Sequence, residues 1–313
     1  MGNRPGAKSP LGVGVLAVGV LLLLLGVELA WGQGRGGRGG MSFLDVLLLP
    51  RVWVSAVFSL AGLTLLLGSR VTQGLRLAFL SLAFFVFGVS FLLPLGKFSA
   101  GMGTHPSPVC IVAKPFVYLN AGRPVPVVFL AILASVAVLS VLGNKLFCGW
   151  ACPVGAIQEA CHRIPLARRL KTKLPFGVTN PIRVALFVVA VVLALAGGVG
   201  LYDYFNPFDF LHWGFQPPVV FVFVVTLAAS LFIFRPFCYL ICPLGLVTWV
   251  LEHVAVTKVR LDKGKCTGCN VCVKLSPCPA VQSILDGKIS RPDCHACGRC
   301  IEVCPEKALS FRA

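Results

Sequence analysis

Eight cysteines crowd into the segment 266–304 as Cys266-x-x-Cys269-x-x-Cys272 with Cys278-Pro279, then Cys294-x-x-Cys297-x-x-Cys300 with Cys304-Pro305. Thiols spaced in this way point to metal rather than to disulfides. Three thiolates two residues apart on a tight loop can hold three corners of an iron–sulfur cubane, and the fourth ligand of each cluster comes from the distant Cys-Pro of the other half. The spacing therefore assigns Cys266, Cys269, Cys272 and Cys304 to one [4Fe–4S] cluster, and Cys294, Cys297, Cys300 and Cys278 to a second. Zinc is the competing occupant, because four thiolates also suit a tetrahedral ion, but zinc predicts isolated pairs where this segment has triplets. Five residues instead of three precede the first Cys-Pro, which lengthens one loop without removing a ligand, and Asp286-Gly287 fits a turn between the halves.

The rest of the chain is of a different character. Of 313 residues, 57% are hydrophobic and 12% charged, too apolar for an ordinary soluble domain of this length. Several apolar runs reach about 18 residues or more without a charge, the length needed to cross a hydrocarbon core of roughly 30 Å as a helix. Six spans are expected, at 11–27, 52–68, 77–95, 125–143, 182–201 and 218–234. The first follows Arg4 and Lys8 and reads as an uncleaved signal anchor, since its apolar core exceeds that of a signal peptide and no A-x-A site follows directly. The expected fold is thus an α-helical membrane bundle over 1–257 with a C-terminal α+β two-cluster ferredoxin domain over 258–313.

Lys and Arg outnumber Asp and Glu by 28 to 11, a net charge of +17. No basic segment is interleaved with base-stacking aromatics, so the surplus is read as cytoplasmic loop charge and not as a nucleic-acid interface. Between 145 and 183 lie Lys145, Arg163, Arg168, Arg169, Lys171, Lys173 and Arg183 against Glu159 alone, whereas 202–216 holds Asp203 and Asp209 and no Lys or Arg. The first segment is expected inside and the second outside, which places the C-terminal domain in the cytoplasm of a bacterium, on its inner membrane.

An internal repeat with an offset of 90 residues joins the two regions: Lys145-Leu-Phe-Cys148-Gly-Trp-Ala-Cys152-Pro153-Val-Gly155 matches Arg235-Pro-Phe-Cys238-Tyr-Leu-Ile-Cys242-Pro243-Leu-Gly245. In a helix, residues four apart share a face, so each C-x-x-x-C-P would present two thiols together. The four, Cys148, Cys152, Cys238 and Cys242, could jointly bind a further iron–sulfur centre. The alternative is apolar packing, since free cysteine is often buried.

The ferredoxin-like tail resembles the bacterial two-cluster ferredoxins. With both C-x-x-x-C-P motifs and the Tyr204-Phe-Asn-Pro-Phe208 loop, the chain resembles the membrane polyferredoxin family, which includes the membrane ferredoxin-type subunit of periplasmic nitrate reductase systems, the methylamine-utilisation ferredoxin and the membrane part of the nitrous-oxide-reduction regulator. The resemblance implies electron transfer between the quinone pool and a partner redox protein. The chain departs from the nitrate-system subunit in its six expected helices against four, and it lacks the flavin-binding domain of the nitrous-oxide relative.

The remaining signals are weaker. The aromatic segment 202–213, with Asp203, Asp209 and His212, could contact a quinol headgroup, but an interfacial aromatic belt explains it as well. An external position would put it about 30 Å from the inner-face thiols, too far for one electron hop. His105, Cys110 and Lys114 read as a structured loop, Cys161-His162 as neither ligand nor base, and Glu28 as a residue at the membrane interface. The expected function is electron relay. A quinol dehydrogenase subunit and an accessory protein supplying electrons for copper or haem maturation are the alternatives, ahead of a redox-sensing transporter, which would need more polar residues within the spans.

Overall fold

The computed structural model of the chain describes residues 42–94, 96–103, 106–288 and 292–313. The expected span 11–27, Glu28 and His105 lie outside them. Proline sets where many helices begin, because its missing N–H falls where the first turn has no acceptor to offer. It stands in the first turn of α2 (Pro50–Leu67), which follows the short α1 (Phe43–Leu47). In α3 (Gln73–Gly88) the opening falls instead to Thr72, whose hydroxyl accepts from Leu75 N–H. Next come α4 (Lys97–Met102), α5 (Cys110–Asn120), α6 (Val127–Gly143) and α7 (Pro153–Arg163).

The longest helix, α8 (Phe176–Gly197), runs through Pro181 and ends on Gly198, whose φ of +66° supplies the left-handed cap. The short α9 (Leu201–Tyr204) and α10 (Pro207–Leu211) lead to α11 (Pro217–Phe232), α12 (Pro236–Leu240) and α13 (Pro243–Glu252). The C-terminal segment is α+β: β1 (Lys258–Leu261), α14 (Val271–Leu275), α15 (Ala280–Leu285), α16 (Arg299–Glu302) and β2 (Leu309–Arg312). The strands pair antiparallel, Lys258 opposite Arg312 and Leu261 opposite Leu309. Gly287, at φ +68°, turns the chain out of α15, as the Asp-Gly pair suggested.

Five of the expected spans coincide with helices, but their lengths differ from the expectation. Among the described residues, α2 and α8 are long and apolar enough to cross a membrane, with 18 and 22 residues. Helices α3, α6 and α11 have 16, 17 and 16 residues, or about 24–26 Å at 1.5 Å per residue, short of a straight crossing. Among the described residues, helix length and apolarity thus support two of the six expected spans. α8 turns Val178, Ile182, Val188, Val189, Val192 and Leu195 outward, the reverse of a soluble surface.

Packing does not divide at residue 257. One apolar core joins Leu60, Leu63 and Leu66 of α2 with Trp150 and Tyr239 of the repeat and with Val259, Val281, Ile284, Leu309 and Phe311 of the C-terminal segment. The second core lies among the helices and holds Cys110, Cys148, Cys152, Tyr202, Phe208 and Cys242.

Candidate iron–sulfur centres

The two C-x-x-x-C-P copies fold alike, but not as continuous helix. Phe147–Ala151 forms a wide π-type turn and Pro236–Leu240 a single short helix. In both, the second cysteine becomes extended (ψ 116°) and caps the next helix, and its N–H returns to the carbonyl five residues back: Cys152 to Phe147 and Cys242 to Phe237, each at 2.9 Å. The expected pairing of thiols thus arises from this turn and not from an i, i+4 helical face. The proline after each second cysteine starts α7 or α13 at the point where the turn ends.

All four thiols of the repeat are buried within one core or at its margin. Burial pushes the Cys148 thiol up to about 11, and it raises Cys152, Cys238 and Cys242 as well; neighbouring cysteines raise Cys148, Cys152 and Cys242 further, whereas the Arg235 guanidinium, then Gln158 and Lys145, partly offset the rise at Cys238. Such thiols ionise only when a cation takes the proton's place, which suits soft metal binding. Each repeat reaches the other's first cysteine with a polar group from the same position: Gln158 Nε2 donates to Cys238 Sγ at 3.7 Å, and Thr248 Oγ1 lies 3.9 Å from Cys148 Sγ. Residues 158 and 248 are 90 apart, so the two halves are related by the repeat itself. Gly155 N–H also faces Cys152 Sγ at 3.5 Å.

Buried cations surround these loops. Arg235 Nη1 donates to the Cys148 carbonyl at 2.6 Å and Arg183 Nη1 to the Cys238 carbonyl at 3.2 Å. Glu159 meets Arg76, Arg163 and Arg235, each at 2.7 Å. Burial alone would raise the Glu159 carboxyl, but the guanidiniums of Arg76 and Arg235 hold it well below the usual carboxylate range. Asp293, beside Cys294, is paired with Lys145 and with Arg183 at 3.0 Å. Five cations thus meet two carboxylates, a surplus of three positive charges (5 − 2). The Nε atoms of Arg183 and Arg235 are buried without a partner. Buried charge is costly unless balanced, and an anionic tetrathiolate cluster would supply the balance. Lys145, Arg163 and Arg183, which the sequence presents as loop charges marking orientation, are therefore largely interior groups with partners.

In the C-terminal segment, Cys266, Cys269, Cys272 and Cys304 line one cavity. Cys278, Cys294, Cys297 and Cys300 form a second, buried set. Burial pushes Cys278 up to about 12 with Cys297 adding to it, and Cys300 is raised well above its ordinary value by burial, then by Cys297, Cys294 and Cys278. Cys272 also acts on Cys300, so the two sets adjoin. Cys266, Cys269, Cys272 and Cys304 thus share one lining, and Cys278, Cys294, Cys297 and Cys300 act on one another electrostatically. Among the described residues no group of three or more His, Cys, Asp or Glu side chains is arranged to hold a single metal ion. A cubane holds its ligands at the corners of a body wider than one ion, so thiols that share a cavity without closing on a point suit it.

The buried set touches both repeat loops. Asn144 Nδ2 donates to the Cys294 carbonyl at 3.3 Å, Trp150 Nε1 to the Ala296 carbonyl at 3.1 Å, and Tyr239 Oη to the Asp293 carbonyl at 3.1 Å. A Cβ on Gly149 would lie 2.3 Å from the His295 carbonyl oxygen, so only glycine permits this approach. None of these contacts was visible in the spacing; the 90-residue repeat was the signal that could have led to Gln158 and Thr248.

The aromatic segment is closer to the thiols than an external loop would be. Tyr202, its hydroxyl buried without a partner, lies within electrostatic reach of Cys242 and Arg183, and it shares a core with Cys148 and Cys152. Asn206 donates to Asp209 at 2.7 Å and to Ser107 at 3.1 Å, and Lys114 pairs with Asp203 at 3.2 Å. Cys110 begins α5, a helix where a loop was expected, and accepts from Asn206 Nδ2 at 3.8 Å. His162 Nδ1 lies 3.1 Å from the Ser230 carbonyl and its ring packs on Phe234, a structural role, while Cys161 is half-buried.

A family described as "4Fe-4S binding domain" matches residues 125–175 and 215–261, one copy on each C-x-x-x-C-P repeat, and a "4Fe-4S dicluster domain" matches residues 258–305. The chain is 29% identical over 210 residues to the ferredoxin-type protein NapH of Haemophilus influenzae, covering 61% of this chain and 71% of the relative. It is 29% identical over 180 residues to NapH of Escherichia coli, covering 54% and 62%. Against the methylamine utilization ferredoxin-type protein MauN of Methylobacillus flagellatus it is 26% identical over 148 residues, covering 44% and 50%. No solved structure matches the chain. Thiol sets of this chemistry, two cluster-binding domains and these relatives support a membrane polyferredoxin-type family, which the chain resembles, and iron–sulfur clusters as its cofactors.

Proposed function

We propose that the chain is a membrane-anchored electron relay with three [4Fe–4S] centres in line, receiving electrons from the quinone pool and passing them to a partner redox protein. Cys148, Cys152, Cys238 and Cys242 would hold the innermost centre, Cys294, Cys297, Cys300 and Cys278 the middle one, and Cys266, Cys269, Cys272 and Cys304 the outermost. Clusters of this kind carry electrons singly and perform little bond chemistry. The observation that carries the reading is the direct seating of both repeat loops on the segment 293–296, through Asn144, Trp150 and Tyr239. The outer set is the one open to water, with Cys269 exposed, so a soluble partner would meet it first. At the other end, Tyr202 and Phe208 share an apolar core with Cys148, Cys152 and Cys242, where an electron donor within the bundle would approach the innermost centre.

A quinol analogue added to anaerobic full-length protein tests the order. Visible absorbance should bleach in the parent protein. In Cys242→Ser the remaining clusters should stay oxidised with quinol and still bleach with dithionite. Bleaching by quinol at the parent rate in Cys242→Ser would sink the proposed order.

Gln158 and Thr248 have the role of positioning residues for the innermost centre. Hydrogen bonds to cluster sulfur favour the more negative, reduced state and so raise the potential. Gln158→Leu should lower the midpoint of that centre by about 20–60 mV, the equivalent of one hydrogen bond of roughly 0.5–1.5 kcal/mol, and Thr248→Val should move the same centre by less, because the Thr248 hydroxyl already donates to the Leu244 carbonyl at 2.9 Å. Potentiometric titration followed by electron paramagnetic resonance reads the shift, with the other two centres unmoved; shifts in different centres would contradict the shared site.

A further inference from the structure

The antiparallel pairing of β1 and β2 puts Lys258 directly opposite Arg312, and Arg260 follows two residues on, on the same face. Like charges facing each other across a strand pair are destabilising. These three cations line a cleft of about 410 Å³ together with Lys263, Lys288 and His253. Glu252 is the one carboxylate among its lining residues, and one of its oxygens already accepts from Cys294 N–H at 3.2 Å. Lys288 is partly offset by Asp286 at 3.3 Å, while Asp262 turns to Lys265 at 3.7 Å. Arg260, Lys263 and Arg312 remain open to solvent. The thiol sets do not account for this cation-lined concavity, because its lining contains no cysteine.

The cleft's position says which anion reaches it. Glu252 and His253 come from the end of α13, where Val250 is 57% and Val254 65% exposed. One turn earlier, Trp249 packs against Phe176, the first residue of α8, with ring centroids 5.5 Å apart. Tryptophan is enriched at membrane–water interfaces. The cleft lies near the first turn of α8, a helix long and apolar enough to cross a membrane, and the exposed Val250 and Val254 lead to it.

We propose that this cleft binds a phosphate-bearing anion, the headgroup of an anionic phospholipid whose acyl chains lie along Val250 and Val254. The lipid would hold the C-terminal segment against the membrane. The headgroup assignment rests on the membrane-anchored reading above; the anion site itself does not.

The test is thermal unfolding of full-length protein, with its clusters intact, in an uncharged detergent. It is titrated with dihexanoyl phosphatidylglycerol, with dihexanoyl phosphatidylcholine and with inorganic phosphate. The expected result is a saturable rise in melting temperature with phosphatidylglycerol, little with phosphatidylcholine, and an apparent affinity weakened at least tenfold in Arg260→Gln/Arg312→Gln. Lys263→Gln/Lys288→Gln, both at exposed positions, provides a second variant with the same expectation should the strand variant fail to fold. Equal stabilisation by inorganic phosphate at the same concentrations would overturn the lipid source and keep the anion site. Unchanged affinity in both folded variants would overturn the site. Phosphatidylglycerol binding that persists while quinol fails to bleach the clusters would remove the relay reading and leave this one standing.

Discussion

Replacing Cys242 with serine is expected to lower the iron content of anaerobically purified protein from about twelve to about eight atoms per chain, with acid-labile sulfide falling in step. The same loss is expected for Cys148, Cys152 and Cys238, because a centre shared by both repeats fails when either half loses a thiol. One set of resonances should vanish from the reduced spectrum while the others persist. The geometry behind this is the return shared by both copies, Cys152 N–H to Phe147 and Cys242 N–H to Phe237. The four thiols, raised by burial, keep their protons, and the surplus of buried cations lacks a counter-charge, until iron and sulfide arrive. Eight irons per chain in the unsubstituted protein would refute the third centre, and the buried surplus would then need another anion.

Glu159→Gln should be the most destabilising change of a residue that is not a proposed ligand. Its carboxylate is almost wholly buried and joins Arg76 from α3, Arg235 from the second repeat and Arg163 from its own helix. The amide keeps the shape and one acceptor but leaves the guanidiniums without their anion. Removing one partner from a buried ionic group costs about 3–5 kcal/mol. Unfolding in a graded denaturing detergent, read by loss of cluster absorbance, should show a shift of that size. Arg76 also stacks over Trp150 at 4.6 Å, so the damage should reach the loop that touches Ala296. A cost below 1 kcal/mol would mean that water or a bound anion already serves these arginines.

The starts of α2 and α11, expected at 52 and 218, fall at Pro50 and Pro217, since the ring constrains φ and has no N–H to leave unsatisfied. The expected start of α8 at 182 is six residues late: Phe176 is anchored on Trp249 and the helix runs through Pro181. Helix α5 was missed because Pro115 interrupts a short run whose apolar face is used only once α6 and α8 lie against it. The 30 Å separation expected between the aromatic segment and the thiols assumed that connecting segments stay outside the bundle. Tyr202 and Cys110 instead turn inward to the core that holds the repeat cysteines.

Cysteine grouping could be read along the chain because ligand spacing within a tight loop is a local property, and the 90-residue repeat was visible for the same reason. Which charges are interior could not. Lys145, Arg183 and Arg235 look like any loop cations until Asp293 and Glu159, 148, 110 and 76 residues away, close on them. The same holds for Gln158 and Thr248, which meet a sulfur only across the repeat. Thiol chemistry is written in short spacings, whereas the electrostatic surroundings of a centre depend on distant segments meeting, and that is settled only when the chain folds.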